Sequence, residues 1–298
     1  QVLSIRPATQ LWPPVLLGSQ FVFNIGFYAV VPFLAIFLRD DMLLSGGVIG
    51  LVLGLRTFSQ QGMFIVGGAL SDRYGARIII LCGCVVRVVG YLLLAFGYSL
   101  PVIIAGACLT GIGGALFSPS IEALLAKAGT RSEAQGKRSR AEWFALFAVC
   151  GELGAVLGPV AGALLTGLGF RQVALAGAAV FVVALIVLFF CLPSGSAKNQ
   201  PLHITPWWTT FRQPRFVAFI IAWSSWLLSY NQLYLALPVE IQRAGGSEKD
   251  LGPLFMLASG LVILFQLPLA RFARRVGAVR VLPVGFLLIA AAFLSVAL

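Results

Sequence analysis

Charge is what this sequence has least of. Only 10% of its 298 residues are Asp, Glu, Lys or Arg, whereas a soluble domain carries about 25%. So small a share cannot cover a water-exposed surface. Acid is scarcer still, with 10 Asp and Glu against 21 Lys and Arg, and there is a single histidine. Cys82, Cys84, Cys108, Cys150 and Cys191 all fall in hydrophobic stretches, with no CxxC pair and no histidine at ligand spacing. Free thiols are expected, with no disulfide and no metal. The chain also lacks HExxH, GxSxG, a phosphate-binding loop and paired intramembrane carboxylates, which argues against an enzyme. No cofactor is implied. A sensor would need a soluble signalling domain, and none is seen.

What the sequence has is apolar length. Hydrophobic residues make up 59% of it, and Pro7 to Leu38, Val88 to Ile121, Gln172 to Ala197 and Phe216 to Val239 contain no charge. Each run is long enough to cross ~30 Å of hydrocarbon as a helix. The bilayer is therefore the solvent, and the fold class is an all-α integral membrane protein. The formal charge of +11 comes from short basic clusters between apolar runs, not from one continuous patch. Topology explains this better than nucleic-acid binding does.

Nine spans can be drawn: Pro14 to Leu38, Gly46 to Leu70, Ile78 to Tyr98, Pro101 to Leu125, Trp143 to Leu168, Val173 to Leu192, Phe216 to Val239, Leu251 to Ala270 and Val281 to Leu298. Most connections are short, so neighbouring spans run antiparallel. With the N-terminus in the cytoplasm, only Arg39, Arg171, Arg243 and Lys249 lie outside, and Arg56 and Arg87 lie within spans. Every other Lys and Arg is inside. That asymmetry predicts a cytoplasmic N-terminus and places Leu298 at the outer face. The native protein is expected to continue into further spans.

Three parts follow: an N-terminal six-helix bundle over 1–192, a cytoplasmic amphipathic linker over 193–215, and a partial C-terminal bundle of three helices over 216–298. The linker holds Trp207, Trp208, Lys198, Arg212, Arg215 and His203, and reads as an interfacial segment. His203 is expected to be an ordinary surface residue. The two bundles carry a weak internal repeat. A shift of 202 residues lays Ile49 and Gly50 on Leu251 and Gly252, Arg73 on Arg275 and Gly75 on Gly277. A shift of 206 lays Tyr28 and Pro32 on Tyr234 and Pro238.

The connection after the second span reads G-A-L-S-D-R-Y-G-A-R, from Gly68 to Arg77. Small Gly68 would let helix ends pack, Gly75 would permit a tight turn, and Asp72, Arg73 and Arg77 supply charge at the membrane surface. This loop resembles the signature of the major facilitator superfamily. The resemblance implies a conformational latch built from Gly68, Asp72, Arg73, Gly75 and Arg77, with Glu122 as its acidic partner. A degraded copy, A-R-F-A-R-R-V-G, runs from Ala270 to Gly277, with Arg274 in the acidic position.

Span five contains G-A-V-L-G-P-V-A-G, whose Gly154, Gly158 and Gly162 form a smooth helix face and whose Pro159 permits bending. It resembles the proton-antiporter motif of the same superfamily, with Ala163 in place of the final glycine. The resemblance spans the chain as the first nine of twelve helices. Through G-L-R-T-F-S-Q-Q-G, from Gly54 to Gly62, it is similar to bacterial multidrug exporters. It implies a monomer in the bacterial inner membrane that exchanges a small-molecule substrate for protons.

Three ionisable residues lie well inside spans, where a charge costs ~2.5 to 3.5 kcal/mol. Glu152 is either a proton carrier or a member of a structural ion pair with Arg87 or Arg56. The two arginines either act on that carboxylate or on an anionic solute, or bond across helices. Gln20, Asn24 and Tyr28 share one face of span one at four-residue spacing. With Tyr230, Asn231, Gln232 and Tyr234 of span seven, they are candidates for a substrate cavity or for polar contacts between helices. Pro32 and Pro238 are expected to kink these spans. The function expected is proton-coupled efflux of drugs or lipophilic metabolites by alternating access. The alternatives are uptake or exchange of an anionic metabolite, or a truncated and inactive transporter.

Overall fold

A computed structural model describes residues 13–192, 212–243, 245 and 251–297. Every regular element among them is helical: α1 (Pro13–Asp40), α2 (Gly46–Gln61), α3 (Phe64–Tyr74), α4 (Ala76–Phe96), α5 (Leu100–Ala134), α6 (Arg140–Thr166), α7 (Phe170–Cys191), α8 (Pro214–Arg243), α9 (Leu251–Val276) and α10 (Ala278–Ala297). Among the described residues, seven helical segments are long and apolar enough to cross a membrane. With backbone donors satisfied inside each helix, that is the form lipid requires. The chain divides into two compact units, residues 1–202 and 203–298. Most of the expected 193–215 linker, including His203, Trp207 and Trp208, lies outside the described residues.

The first unit packs in pairs, α1 with α6 and with α7, α4 with α5 and with α7, and α5 with α2 and with α3. Glycines set the closest of these approaches. A β-carbon at Gly83 would lie 2.9 Å from the Gly113 carbonyl oxygen, and one at Gly90 would lie 2.9 Å from that of Gly106. The α4–α5 seam therefore joins backbone to backbone, the arrangement small residues allow between helices in lipid.

Three of the differences from the boundaries read in the sequence have a clear local cause. Span two is interrupted at Gly62 and Met63, between α2 and α3, where glycine's low helix propensity lets the ladder change. Helix α5 runs nine residues past Leu125, because hydropathy sees only the apolar part of a helix whose tail is polar. That tail is tied to the connection before α6, with the Ser132 hydroxyl donating to the Arg138 carbonyl at 2.9 Å. Helix α6 starts at Arg140, where Ser139 and Glu142 form a reciprocal capping box. The S-x-x-E spacing that announces it was present in the sequence.

In the second unit, α9 packs with α10. Helix α9 gives way to Gly277 at φ 99°, as α3 gives way to Gly75 at φ 90°. Each glycine N–H returns to the residue four earlier, Ala273 and Ser71. The two positions are the ones aligned by the 202-residue shift, and both adopt a conformation that glycine enters without a side-chain penalty.

Candidate functional site

The glycines of α6 lie against the polar stripe of α1. The Asn24 amide donates to the Gly151 carbonyl at 2.8 Å. A β-carbon at Gly154 would stand 2.6 Å from the Phe21 carbonyl oxygen, and one at Gly158 would stand 2.7 Å from Tyr28 Cβ. One at Gly162 would run into the Ala29 carbonyl and the Phe33 ring. The face carrying Gln20, Asn24 and Tyr28 is therefore half-buried on α6. Pro159 lies within α6 among these glycines, and Pro32 lies within α1. Helix α8 contains Tyr230, Asn231, Gln232, Tyr234 and Pro238, but their side chains fall outside the described residues.

Glu152 follows Gly151 on α6 and is half-buried. Neither buried arginine forms a salt bridge among the described residues, so the ion pair with Arg87 or Arg56, one of the two readings of Glu152, is not seen. Instead, Arg87 is 0% exposed at the middle of α4. Its Nε–H donates to the Thr110 carbonyl at 3.1 Å. Its guanidinium carbon lies 3.9 Å from the Phe23 ring centre, 4.8 Å from Phe181 and 5.7 Å from Phe27. Arg56, 5% exposed on α2, lies 4.3 Å from the Phe27 ring centre and donates through Nη2 to Gln60 Oε1 at 2.6 Å. The two cations thus share the Phe27 ring, and the sequence reading identified neither this aromatic enclosure nor Gln60.

The enclosure is itself braced. Phe23 stacks on Phe117 at 4.5 Å and meets Phe181 edge-on at 5.6 Å. The Tyr91 hydroxyl donates to the Gly26 carbonyl at 3.2 Å. Gly26 must stay small because its β-carbon would fall 2.7 Å from the Phe181 ring. Gly114 does the same for the cations, since the space its β-carbon would need lies 2.9 Å from Arg87 Nη2 and 3.0 Å from Gln60 Cδ.

At the α3–α4 turn, Arg77 Nη2 donates to the Phe189 carbonyl at 2.6 Å, near the end of α7. Arg73 lies over the Tyr74 ring. Asp72 and Glu122 are exposed, and no salt bridge joins them to another described residue. The close approach expected at Gly68 belongs to its neighbour. A β-carbon at Gly67 would run into the Ala115 carbonyl of α5, while Gly68 faces open space. Gly67→Val is therefore expected to lower the thermal midpoint by several degrees, and Gly68→Val to leave it within a degree or two. Thermal unfolding of the two purified variants checks this, and equal behaviour would refute the assignment.

Among the described residues, no group of three or more His, Cys, Asp or Glu could hold a metal ion. Residues 16–298 match the Major Facilitator Superfamily profile. The chain is 38% identical to an uncharacterized MFS-type transporter of Mycobacterium tuberculosis over 95% of this chain and 67% of that one. It is 31% identical to multidrug resistance protein MdtH of Aeromonas hydrophila, over 84% of this chain and 62% of the relative. It is 30% identical to MdtH of Yersinia pestis, over 91% and 66%. The chain thus spans about two thirds of these relatives' length. A POT family transporter crystallised with 5-aminolevulinic acid shares the fold, with TM-score 0.55 and 17% identity over 77% of this chain and 51% of that one. These relatives are transporters rather than enzymes, and this multi-pass membrane chain belongs to the major facilitator superfamily.

Proposed function

We propose that the protein is a secondary active transporter that exports drugs or lipophilic metabolites in exchange for protons. It works by alternating access in a bacterial inner membrane, as a monomer with a cytoplasmic N-terminus. The observation that carries this reading is the likeness to proteins named for multidrug resistance over 84% and 91% of the chain. The α1–α6 seam supports it, because the polar stripe of α1 packs on α6 and Glu152 is next in α6 to Gly151, whose carbonyl accepts from Asn24. A half-buried carboxylate inside a span can take a proton on one side of the membrane and release it on the other. The expected latch at the α3–α4 turn and the polar residues of α8 belong to the same proposal.

The test is solute-dependent proton movement in liposomes containing the purified protein. Wild type is expected to move protons inward as a lipophilic cation or neutral drug leaves. Glu152→Gln is expected to cut that coupled flux at least about tenfold, or roughly 1.4 kcal/mol, with an unchanged thermal midpoint. Full coupling in the variant would remove Glu152 from the mechanism. A wild type that moves solute without moving protons would remove antiport.

A further inference from the structure

Two guanidinium groups inside one helical unit, with no carboxylate among the described residues bonded to either, leave a charge imbalance to be explained. Arginine stays protonated in proteins, so neither group escapes its burial by becoming neutral. The aromatic rings offset part of the cost, since a desolvated cation is attracted to the face of a ring. Rings attract the cation, but they are poor acceptors for the in-plane N–H groups. Arg87 Nη1 and Nη2 and Arg56 Nε are buried with no hydrogen-bond partner. A buried donor left unmatched is destabilising, and more so when charged.

One unmatched donor of Arg87 lies beside Gln60, which is itself bonded to Arg56. Arg87 Nη2 and Gln60 Cδ both press on Gly114, where a β-carbon would fall 2.9 Å from the one and 3.0 Å from the other, so the two side chains are close neighbours. The Gln60 oxygen is taken by Arg56, which leaves the amide nitrogen as a further donor. Both guanidinium groups lie against the Phe27 ring, and neither arginine is paired with a described acid.

We propose that Arg56, Arg87 and Gln60 hold a small monovalent anion inside the first unit, a halide or a single carboxylate group. The near-complete burial of both arginines limits the ligand to that size. The anion accepts from the Nη groups of Arg87 and neutralises part of the paired charge. It is a resident of the helical unit rather than the exported solute, and the proposal does not depend on the direction or coupling of transport.

The experiment measures the thermal midpoint of the purified protein at constant pH and ionic strength in sodium chloride, sodium acetate and sodium gluconate. Gluconate is too bulky for the site. Chloride or acetate is expected to raise the midpoint by roughly 3 to 8 °C over gluconate at saturation. Whichever of the two acts identifies the ligand as halide or carboxylate. Arg87→Met, whose apolar chain suits the aromatic walls, is expected to lose the anion response, and Gln60→Leu to weaken it. Equilibrium dialysis with radiolabelled chloride or acetate is expected to show about one ion per wild-type chain and none for Arg87→Met. If Arg87→Met does not fold, Gln60→Leu and the wild-type dialysis still decide. A wild-type midpoint identical in all three salts, with no label retained, would mean that water alone serves these donors, and would overturn the proposal.

Discussion

Gly154→Leu is expected to abolish the folded protein, or to lower its thermal midpoint by well over ten degrees. The reason is backbone geometry rather than side-chain crowding. A β-carbon at this position would lie 2.6 Å from the Phe21 carbonyl oxygen, 2.8 Å from Asn24 Cβ and 3.1 Å from the Ile25 backbone nitrogen. Real β-carbons almost never approach so closely, and a helix backbone cannot rotate aside as a flexible side chain can. Helices α1 and α6 would have to separate along the whole Gly154, Gly158 and Gly162 stripe, losing the dispersion contacts that hold helices together in lipid. Even alanine should cost about 1 to 3 kcal/mol as an overpacked contact, and leucine considerably more. Gly18→Leu on α1 is the control, because nothing lies within 4 Å of its β-carbon site. Thermal unfolding and size-exclusion behaviour in detergent measure the effect. A Gly154→Leu protein that unfolds like wild type would show that this seam does not hold the unit together.

The same seam shows where the sequence could and could not be read. Four-residue spacing placed Gln20, Asn24 and Tyr28 on one face and the α6 glycines on another, because both patterns are local to a single helix. Their contact, with Asn24 bonded to Gly151, joins residues 127 positions apart, and no local period encodes it. Hydropathy located the spans but not the polar tail of α5, since the tail is helical through capping and packing rather than apolarity. Gly67 and Gly68 are indistinguishable as letters, and only the position of Ala115 decides which one sits at the contact. Gly75 was different. A charged, short connection between two apolar runs needs a turn, and its φ of 90° is the glycine conformation that such a turn uses.

Arg56 and Arg87 stood out in the sequence as charges inside apolar spans, yet their surroundings did not. On helices that are apolar all round, an aromatic residue facing lipid looks the same as one facing the core. Phe23 and Phe181 become special only because α1 and α7 bring them onto the α4 arginine. The aromatic contact is nonetheless testable without reference to any bound ion. Phe23→Leu removes a ring that stacks on Phe117 at 4.5 Å and lies 3.9 Å from the Arg87 guanidinium carbon. It should destabilise the protein by about 2 to 4 kcal/mol, combining lost packing with a lost desolvated cation–ring contact.

In an Arg87→Met background the packing loss remains, but the electrostatic part is already gone. The same Phe23→Leu change should then cost about 1 to 2 kcal/mol less, a coupling within the range for touching residues. Denaturant unfolding of wild type, both single variants and the double variant closes the cycle. Effects that add to within about 0.5 kcal/mol would mean that the ring contributes bulk alone. The charge of Arg87 would then be carried by whatever meets its Nη groups, and not by the aromatic walls.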